Sequence, residues 1–141
     1  MKNLLEVAIK IAVNAHSSQV DKGGQPYILH PLRVMMSLID EKDKIIGVLH
    51  DTVEDTDVTY EYLKEVGFDD EIIEGIKSVT RNKDETYNQF IDRVSLNPRG
   101  KRVKLADIED NMDISRIPNP SEKDYSRVEK YKKAKKRLTH D

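Results

Sequence analysis

The run Ile45-Ile46-Gly47-Val48-Leu49 leads without a break into His50-Asp51-Thr52-Val53-Glu54-Asp55-Thr56. No polar side chain interrupts the apolar stretch, so a helix here has almost no side to show to water. The sequence therefore predicts a third helix over residues 43–53, enclosed by the rest of the chain. Its end carries four titratable side chains, His50, Asp51, Glu54 and Asp55. On a continuous helix, Glu54 stands one turn beyond His50, and Asp55 one turn beyond Asp51. Such groups are costly at the end of a buried element unless something satisfies them. A divalent metal ion would do so, because a neutral imidazole and an adjacent carboxylate can both ligate one ion.

The remaining sequence supplies helices to enclose this one. Leu4, Val7, Ala8, Ile11, Ala12 and Ala15 recur at helical spacing and predict a first helix over residues 2–19. Asp21-Lys22-Gly23-Gly24-Gln25-Pro26 is a loop. His30-Pro31 opens a second helix, with proline in its first turn and Leu32, Met35, Met36 and Ile39 on its core face. Thr59 is an N-cap and Gly67 a stop for a short helix between them. Asp69 caps the next helix, whose apolar face is Ile72, Ile73, Ile76 and Val79. Thr86 and Gln89 form a capping box for a helix through Val94, which Asn97-Pro98-Arg99-Gly100 ends. A further buried helix over residues 102–112 carries Val103, Leu105, Ala106 and Ile108. Ile117-Pro118-Asn119-Pro120 is extended, and Ser121 caps a last helix to about residue 138. Tyr125, Val128, Tyr131 and Leu138 form its inner face. No segment alternates as a strand must, so the fold class is all-α.

A chain of 141 residues fits one domain, expected over residues 1–141. The net charge of −2 gives no field that would gather nucleic acid or an acidic membrane. The basic run from Lys130 to Arg137 reads as the solvated face of the last helix, with some of its lysines available to a polyphosphate. Arg81-Asn82-Lys83 follows a helix end, where its cations either complement the helix dipole or help hold phosphate. No cysteine is present, which excludes disulfides, thiolate catalysis and thiolate-bound zinc. No signal peptide or membrane-length apolar run is visible, so a cytoplasmic protein with neither nucleic-acid nor membrane partners is expected. His140 is read as a frayed tail.

Three separated segments then offer candidate ligands: His30, His50-Asp51 and Asp107, each bordering a helix expected to be buried. Two imidazoles and two carboxylates suit Mn²⁺, Fe²⁺ or Zn²⁺ better than Ca²⁺. Each residue also has a plainer reading. His30 is a reasonable helix-entry residue, Asp107 can pair with Lys104 on a solvated face, and Glu54 and Asp55 can be exposed acids before a turn.

Three motifs together resemble the HD-domain phosphohydrolases. They are Gln25-Pro26-Tyr27-Ile28-Leu29-His30-Pro31-Leu32, Leu49-His50-Asp51-Thr52-Val53-Glu54-Asp55-Thr56 and Val103-Lys104-Leu105-Ala106-Asp107. More narrowly, the chain is similar to the hydrolase domain of RelA/SpoT-type alarmone enzymes and to short stand-alone bacterial HD proteins. The resemblance continues through Ala15-His16, Val79-Thr80 and Arg127-Val128-Glu129-Lys130-Tyr131. It implies a compact single HD-domain helical bundle with a central buried metal site, usually holding Mn²⁺. By the same resemblance His30, His50, Asp51 and Asp107 are the metal ligands. Glu54 and Asp55 are the catalytic acids that handle attacking water and leaving group. Asn111 contacts the nucleotide sugar, Lys22 and Tyr27 lie near the base, and His16 lies outside the metal shell. The implied activity is metal-dependent hydrolysis of a phosphate or pyrophosphate ester in a small nucleotide-like substrate. Guanosine-3′,5′-bis(diphosphate), cleaved at its 3′-pyrophosphate, is the first candidate. The alternatives are another nucleotide, or a metal-stabilised nucleotide-sensing module with weak turnover.

The chain also departs from that family. Asp21 stands where the alarmone hydrolases carry an Arg that stacks on guanine, which a carboxylate cannot do. The family motif Ala-Asp-Arg-Leu-His-Asn is here Ala106-Asp107-Ile108-Glu109-Asp110-Asn111, so its Arg and His are missing. Hydrolysis carries over better than guanine specificity. A second, alarmone-synthesising domain is not expected within these residues.

Overall fold

A computed structural model describes residues 3–139. Within them the chain forms α1 (Leu4–Ala15), α2 (Leu29–Met36), α3 (Glu41–Leu49), α4 (Thr52–Asp55) and α5 (Tyr60–Val66). It continues as α6 (Asp70–Ser78), α7 (Tyr87–Ser95), α8 (Pro98–Met112) and α9 (Glu122–Thr139). Extended pairing among the described residues is limited to one isolated bridge, Val20 with Pro26, which closes the loop after α1. No helix of the described residues is long and apolar enough to cross a membrane. Lys2, the expected start of the first helix, and His140 lie outside the described residues.

The enclosed helix is α3. Asp40 starts it by accepting hydrogen bonds from the backbone N–H groups of Lys42 and Asp43. Its Ile45, Ile46, Val48 and Leu49 are all buried, and α1, α2, α6 and α8 pack around it. Two polar contacts set the register of α3 against α8. Near the start of both helices, buried Asp43 accepts from Arg102 Nε at 2.6 Å and from Arg99 Nη1 at 2.9 Å. Further along both, His50 Nε2 lies 3.1 Å from Asp107 Oδ1. The pairs advance together, so α3 and α8 run in the same direction. A buried carboxylate is tolerable only when paired and hydrogen-bonded, and Asp43 is both.

Capping explains most of the helix boundaries. Thr59, Asp69 and Asn97 each accept a backbone N–H at their helix starts, and Thr86 with Gln89 completes a capping box. Gly67 closes α5 at φ 121°, a conformation that side chains disfavour.

The sequence reading needs correction in five places. The first helix ends at Ala15, because His16 caps it and Ser18 turns the chain at φ 70°. Met36 and Ile39 are exposed, and the buried face of α2 is completed instead by Val34 and the following Leu38. Asn97-Pro98-Arg99-Gly100 starts a helix as well as following one, since Asn97 accepts from Gly100 N and Pro98 sits at the first helical position. On the last helix, Ala134 and Leu138 are buried whereas Tyr125 is exposed. Finally, the third helix does not continue to Val53. It stops at His50, and α4 restarts at Thr52.

Leu49 is fully buried at the end of α3. Replacing it with alanine is expected to cost about 2–5 kcal/mol through lost burial and an unfilled cavity. Urea unfolding measures this, and a change below ~0.5 kcal/mol would mean that α3 is not the central element.

Candidate functional site

The interruption at His50-Asp51 is what builds the site. Leaving the helix frees carbonyls, and local side chains take them up. His50 Nδ1 hydrogen-bonds Gly47 O, and Thr52 Oγ1 donates to Leu49 O at 2.8 Å. The first bond makes Nδ1 the protonated nitrogen and turns Nε2 of His50 inward. Pro31 and His30 occupy the first turn of α2, and Asp107 lies mid-way along α8. His30, His50 and Asp107 are buried, and Asp51 is partly buried.

Their polar atoms converge. His30 Nε2 is 2.9 Å from Asp107 Oδ1 and 3.9 Å from Asp51 Oδ2. His50 Nε2 is 3.1 Å from Asp107 Oδ1 and 3.2 Å from Asp51 Oδ2. Ligands about 2.1 Å from one ion stand roughly 3–4 Å from each other. The donor set and its spacing therefore fit one divalent ion. The four residues named from the sequence as ligands are brought together by three helices and the break after α3.

Each of these groups is held from behind. The hydroxyl of Tyr27 donates to Asp51 Oδ2. Lys104 Nζ donates to Asp107 Oδ2 at 2.9 Å, and Asn111 Nδ2 donates to Asp107 Oδ1 at 3.1 Å. Asp110 Oδ2 lies 2.7 Å from His30 Nδ1. Lys104 and Asp107 do pair, but Asp107 is buried and the Lys104 side chain only 13% exposed, so this is not the solvated-face pair that the sequence allowed. Burial alone would lower the pKa of both imidazoles. For His30, hydrogen bonds to Asp107 and Asp110 outweigh burial and raise it. For His50, the charges of Asp51 and Asp107 raise it well above the ordinary value. Burial would raise the carboxylates, yet Lys104 and His50 hold Asp107 well below its usual range, and His50 holds Asp51 at about 2.

Glu54 and Asp55 flank this cluster. One carboxylate oxygen from each comes within 4.8 Å of an oxygen of Asp51. Because the helix breaks, they reach Asp51 from the short turn α4 and not along a continuous helix. Burial raises the pKa of both. The neighbouring charges of Asp55 and Asp51 add to this for Glu54, and that of Asp51 for Asp55.

On the α2–α8 side a cavity of about 370 Å³ opens beside His30. Lys22, Tyr27 and Asn111, the three expected substrate contacts, all line it, as do Arg127 and Tyr131 of α9. This volume lies within the range of small-molecule sites. Lysines of the basic run are not among its lining residues. Lys130 instead lies over the Tyr87 ring, 4.0 Å from its centroid.

Asp21 also lines the cavity, and its carboxylate has a structural task. Oδ1 accepts from the backbone N–H groups of Gly23 and Gln25, each at 2.9 Å. Asp21 therefore shapes the loop. Sequence reasoning missed Lys104 and Asp110 as supports of the cluster. Their spacing of three residues on either side of Asp107 puts all three on one helix face, which was the available signal. That Asp110 meets His30, 80 positions away, had no local signal.

Fold and site together define an all-helical domain with a buried His/Asp cluster of the kind that holds a divalent metal. No family model matches the chain. The chain is similar to the guanosine-3′,5′-bis(diphosphate) 3′-pyrophosphohydrolase of Aquifex aeolicus, at 35% identity over 120 residues, which is 77% of this chain and 17% of that one. It is 34% identical over 131 residues to a probable GTP pyrophosphokinase of Mycobacterium leprae, covering 84% of this chain and 16% of the other. The bifunctional (p)ppGpp synthase/hydrolase SpoT of Escherichia coli matches at 30% over 122 residues, or 77% and 17% of the two chains. The chain thus spans under a fifth of the length of these curated relatives. Among solved structures, a metazoan ortholog of SpoT that hydrolyses ppGpp has the same fold. Its TM-score is 0.81 at 21% identity, over 99% of this chain and 87% of that one. The chain is a RelA/SpoT-like HD domain.

The imidazole shifts give a pH prediction for metal-free protein. A histidine whose pKa is raised on folding contributes stability that is complete below its unfolded value, about 6.5. That contribution is lost as pH rises through the folded value. In a chelator, the unfolding free energy is therefore expected to fall from about pH 6.5 upward. His50→Asn should flatten the slope, and a slope equal to wild type would show that His50 is not protonated in the metal-free fold.

Proposed function

We propose that this domain is a metal-dependent phosphohydrolase acting on a small nucleotide-like substrate. The observation that carries the reading is the convergence of two imidazole Nε2 atoms and two carboxylate oxygens at ligand spacing beside the 370 Å³ cavity. His30, His50, Asp51 and Asp107 would hold the ion. Mn²⁺ is the metal we favour, because mixed imidazole and carboxylate sites suit it and the resemblance points the same way. A bound divalent ion acidifies a water molecule and neutralises a phosphate oxygen.

The chain's own residues do the rest. Lys104 and Asn111 fix the Asp107 carboxylate, and Tyr27 fixes that of Asp51. Glu54 and Asp55 stand beside Asp51 with pKa values raised toward the working range, which suits them to accept and return a proton. Lys22 and Arg127 set positive charge on the cavity wall for substrate phosphates, and Tyr131 lines it beside them.

The names of the relatives support guanosine-3′,5′-bis(diphosphate) as the first substrate to test, with release of pyrophosphate from the 3′ position. One observation favours a different nucleotide. Asp21 lines the cavity with a carboxylate where the family resemblance calls for a guanine-stacking Arg.

Purified protein is expected to bind about one divalent ion per chain, and Asp51→Ala to lose it. Glu54→Gln should retain the metal and lose roughly 10²–10⁴-fold in kcat. Metal analysis and hydrolysis across a Mn²⁺-supplemented nucleotide panel measure both, and wild-type turnover by Glu54→Gln would remove Glu54 from the chemistry. For substrate choice, kcat/KM on guanosine tetraphosphate is expected to be weak. Asp21→Arg is expected to gain the stacking cation, worth ~0.5–2 kcal/mol, while losing the two loop hydrogen bonds. Efficient wild-type hydrolysis would support the guanosine substrate over the alternative.

A further inference from the structure

His30 is gripped on both of its nitrogens. Nε2 faces Asp107 Oδ1 at 2.9 Å, and Nδ1 faces Asp110 Oδ2 at 2.7 Å. Asp110 is itself clamped. Arg33 donates to it twice, from Nε to Oδ1 at 2.7 Å and from Nη2 to Oδ2 at 3.0 Å. Arg116 Nη2 donates to Asp110 Oδ1 at 3.2 Å and to its backbone oxygen at 3.1 Å. The motif that this chain resembles has histidine where Asp110 stands. The aspartate therefore belongs to this chain's own way of building the site, and two arginines accompany it.

We propose that Asp110 is the positioning residue for His30, accepting its Nδ1–H and so fixing the tautomer whose Nε2 lone pair faces the metal position. The inference rests on the metal reading above. His50 reaches the same state differently, by donating Nδ1–H to Gly47 O. Both imidazoles then present Nε2 to the same point. The two supports differ in chemistry: a backbone carbonyl fixes orientation alone, whereas a carboxylate also makes the imidazole a stronger donor to a metal. Arg33 and Arg116 hold the Asp110 carboxylate in place and offset its charge next to the cavity. Asp110 touches neither metal nor reacting atoms in this scheme and acts through His30.

The test is calorimetric titration of the metal-free full chain with Mn²⁺ alone, before any substrate is added. Asp110→Ala is expected to weaken Mn²⁺ binding about 10–100-fold. Asp110→Asn keeps the shape and an amide oxygen able to accept from Nδ1, and is expected to lose less. Arg33→Ala, which removes a clamp without touching His30, is expected to weaken binding in the same direction. Thermal unfolding of each metal-free variant reports the fold separately from the metal constant. A Mn²⁺ constant for Asp110→Ala equal to wild type overturns the inference and leaves the metal reading standing. Absence of Mn²⁺ binding by the wild-type protein overturns both.

Discussion

The Asp107 carboxylate is the contact on which the rest of the structure turns. It sits in the interior of a helical domain, where an ionised group survives only with partners. Oδ1 meets both imidazoles and the Asn111 amide, and Oδ2 meets the Lys104 ammonium. Those partners come from α2, the end of α3 and α8 itself. Satisfying one buried charge therefore fixes three chain segments relative to one another, and the same atoms form the candidate metal position.

That arrangement needs α3 and α8 in a single register, which apolar packing alone does not specify strongly. The Asp43 clamp with Arg99 and Arg102 locks one level of the pair, and His50 with Asp107 locks the next. The break after Leu49 matters as much as the helix before it. Had α3 continued, His50 would keep its backbone hydrogen bonds and Asp51 would point elsewhere. Because it stops, both side chains turn inward, while α4 carries Glu54 and Asp55 to the same carboxylate from the solvent side.

The site divides its tasks by environment. The ligand positions are buried and cross-braced, which suits groups that must not move. Glu54 and Asp55 are exposed residues whose pKa values are raised by partial desolvation of their carboxyl groups and by neighbouring negative charge. Their exposure lets them exchange protons with solvent directly. The cavity beside His30 mixes Lys22, Arg33, Arg116 and Arg127 with Asp21, Asp110, Asp113 and Asp124. Several of these acids are already spent on the loop or on the arginines, so the wall as a whole is not negative toward a ligand.

The sequence by itself determined the helical class, most helix starts and the identity of the converging residues. Caps such as Thr59, Asp69 and Thr86 are local hydrogen-bond problems with local solutions, and an apolar run such as Ile45–Leu49 can only be central. Polar residues bordering such a run stood out for the same reason. Tertiary structure alone decided that Asp107 is the shared partner of His30, His50 and Lys104, that Asp110 reaches back to His30, and that Asp21 is occupied by its own loop. It also decided that Met36 and Ile39 face outward, although their spacing on the helix pattern placed them in the core. Periodicity says which residues share a face. Which face is buried, and which distant charge meets which, depends on how helices pack across 50 to 80 residues of chain, where no local rule applies.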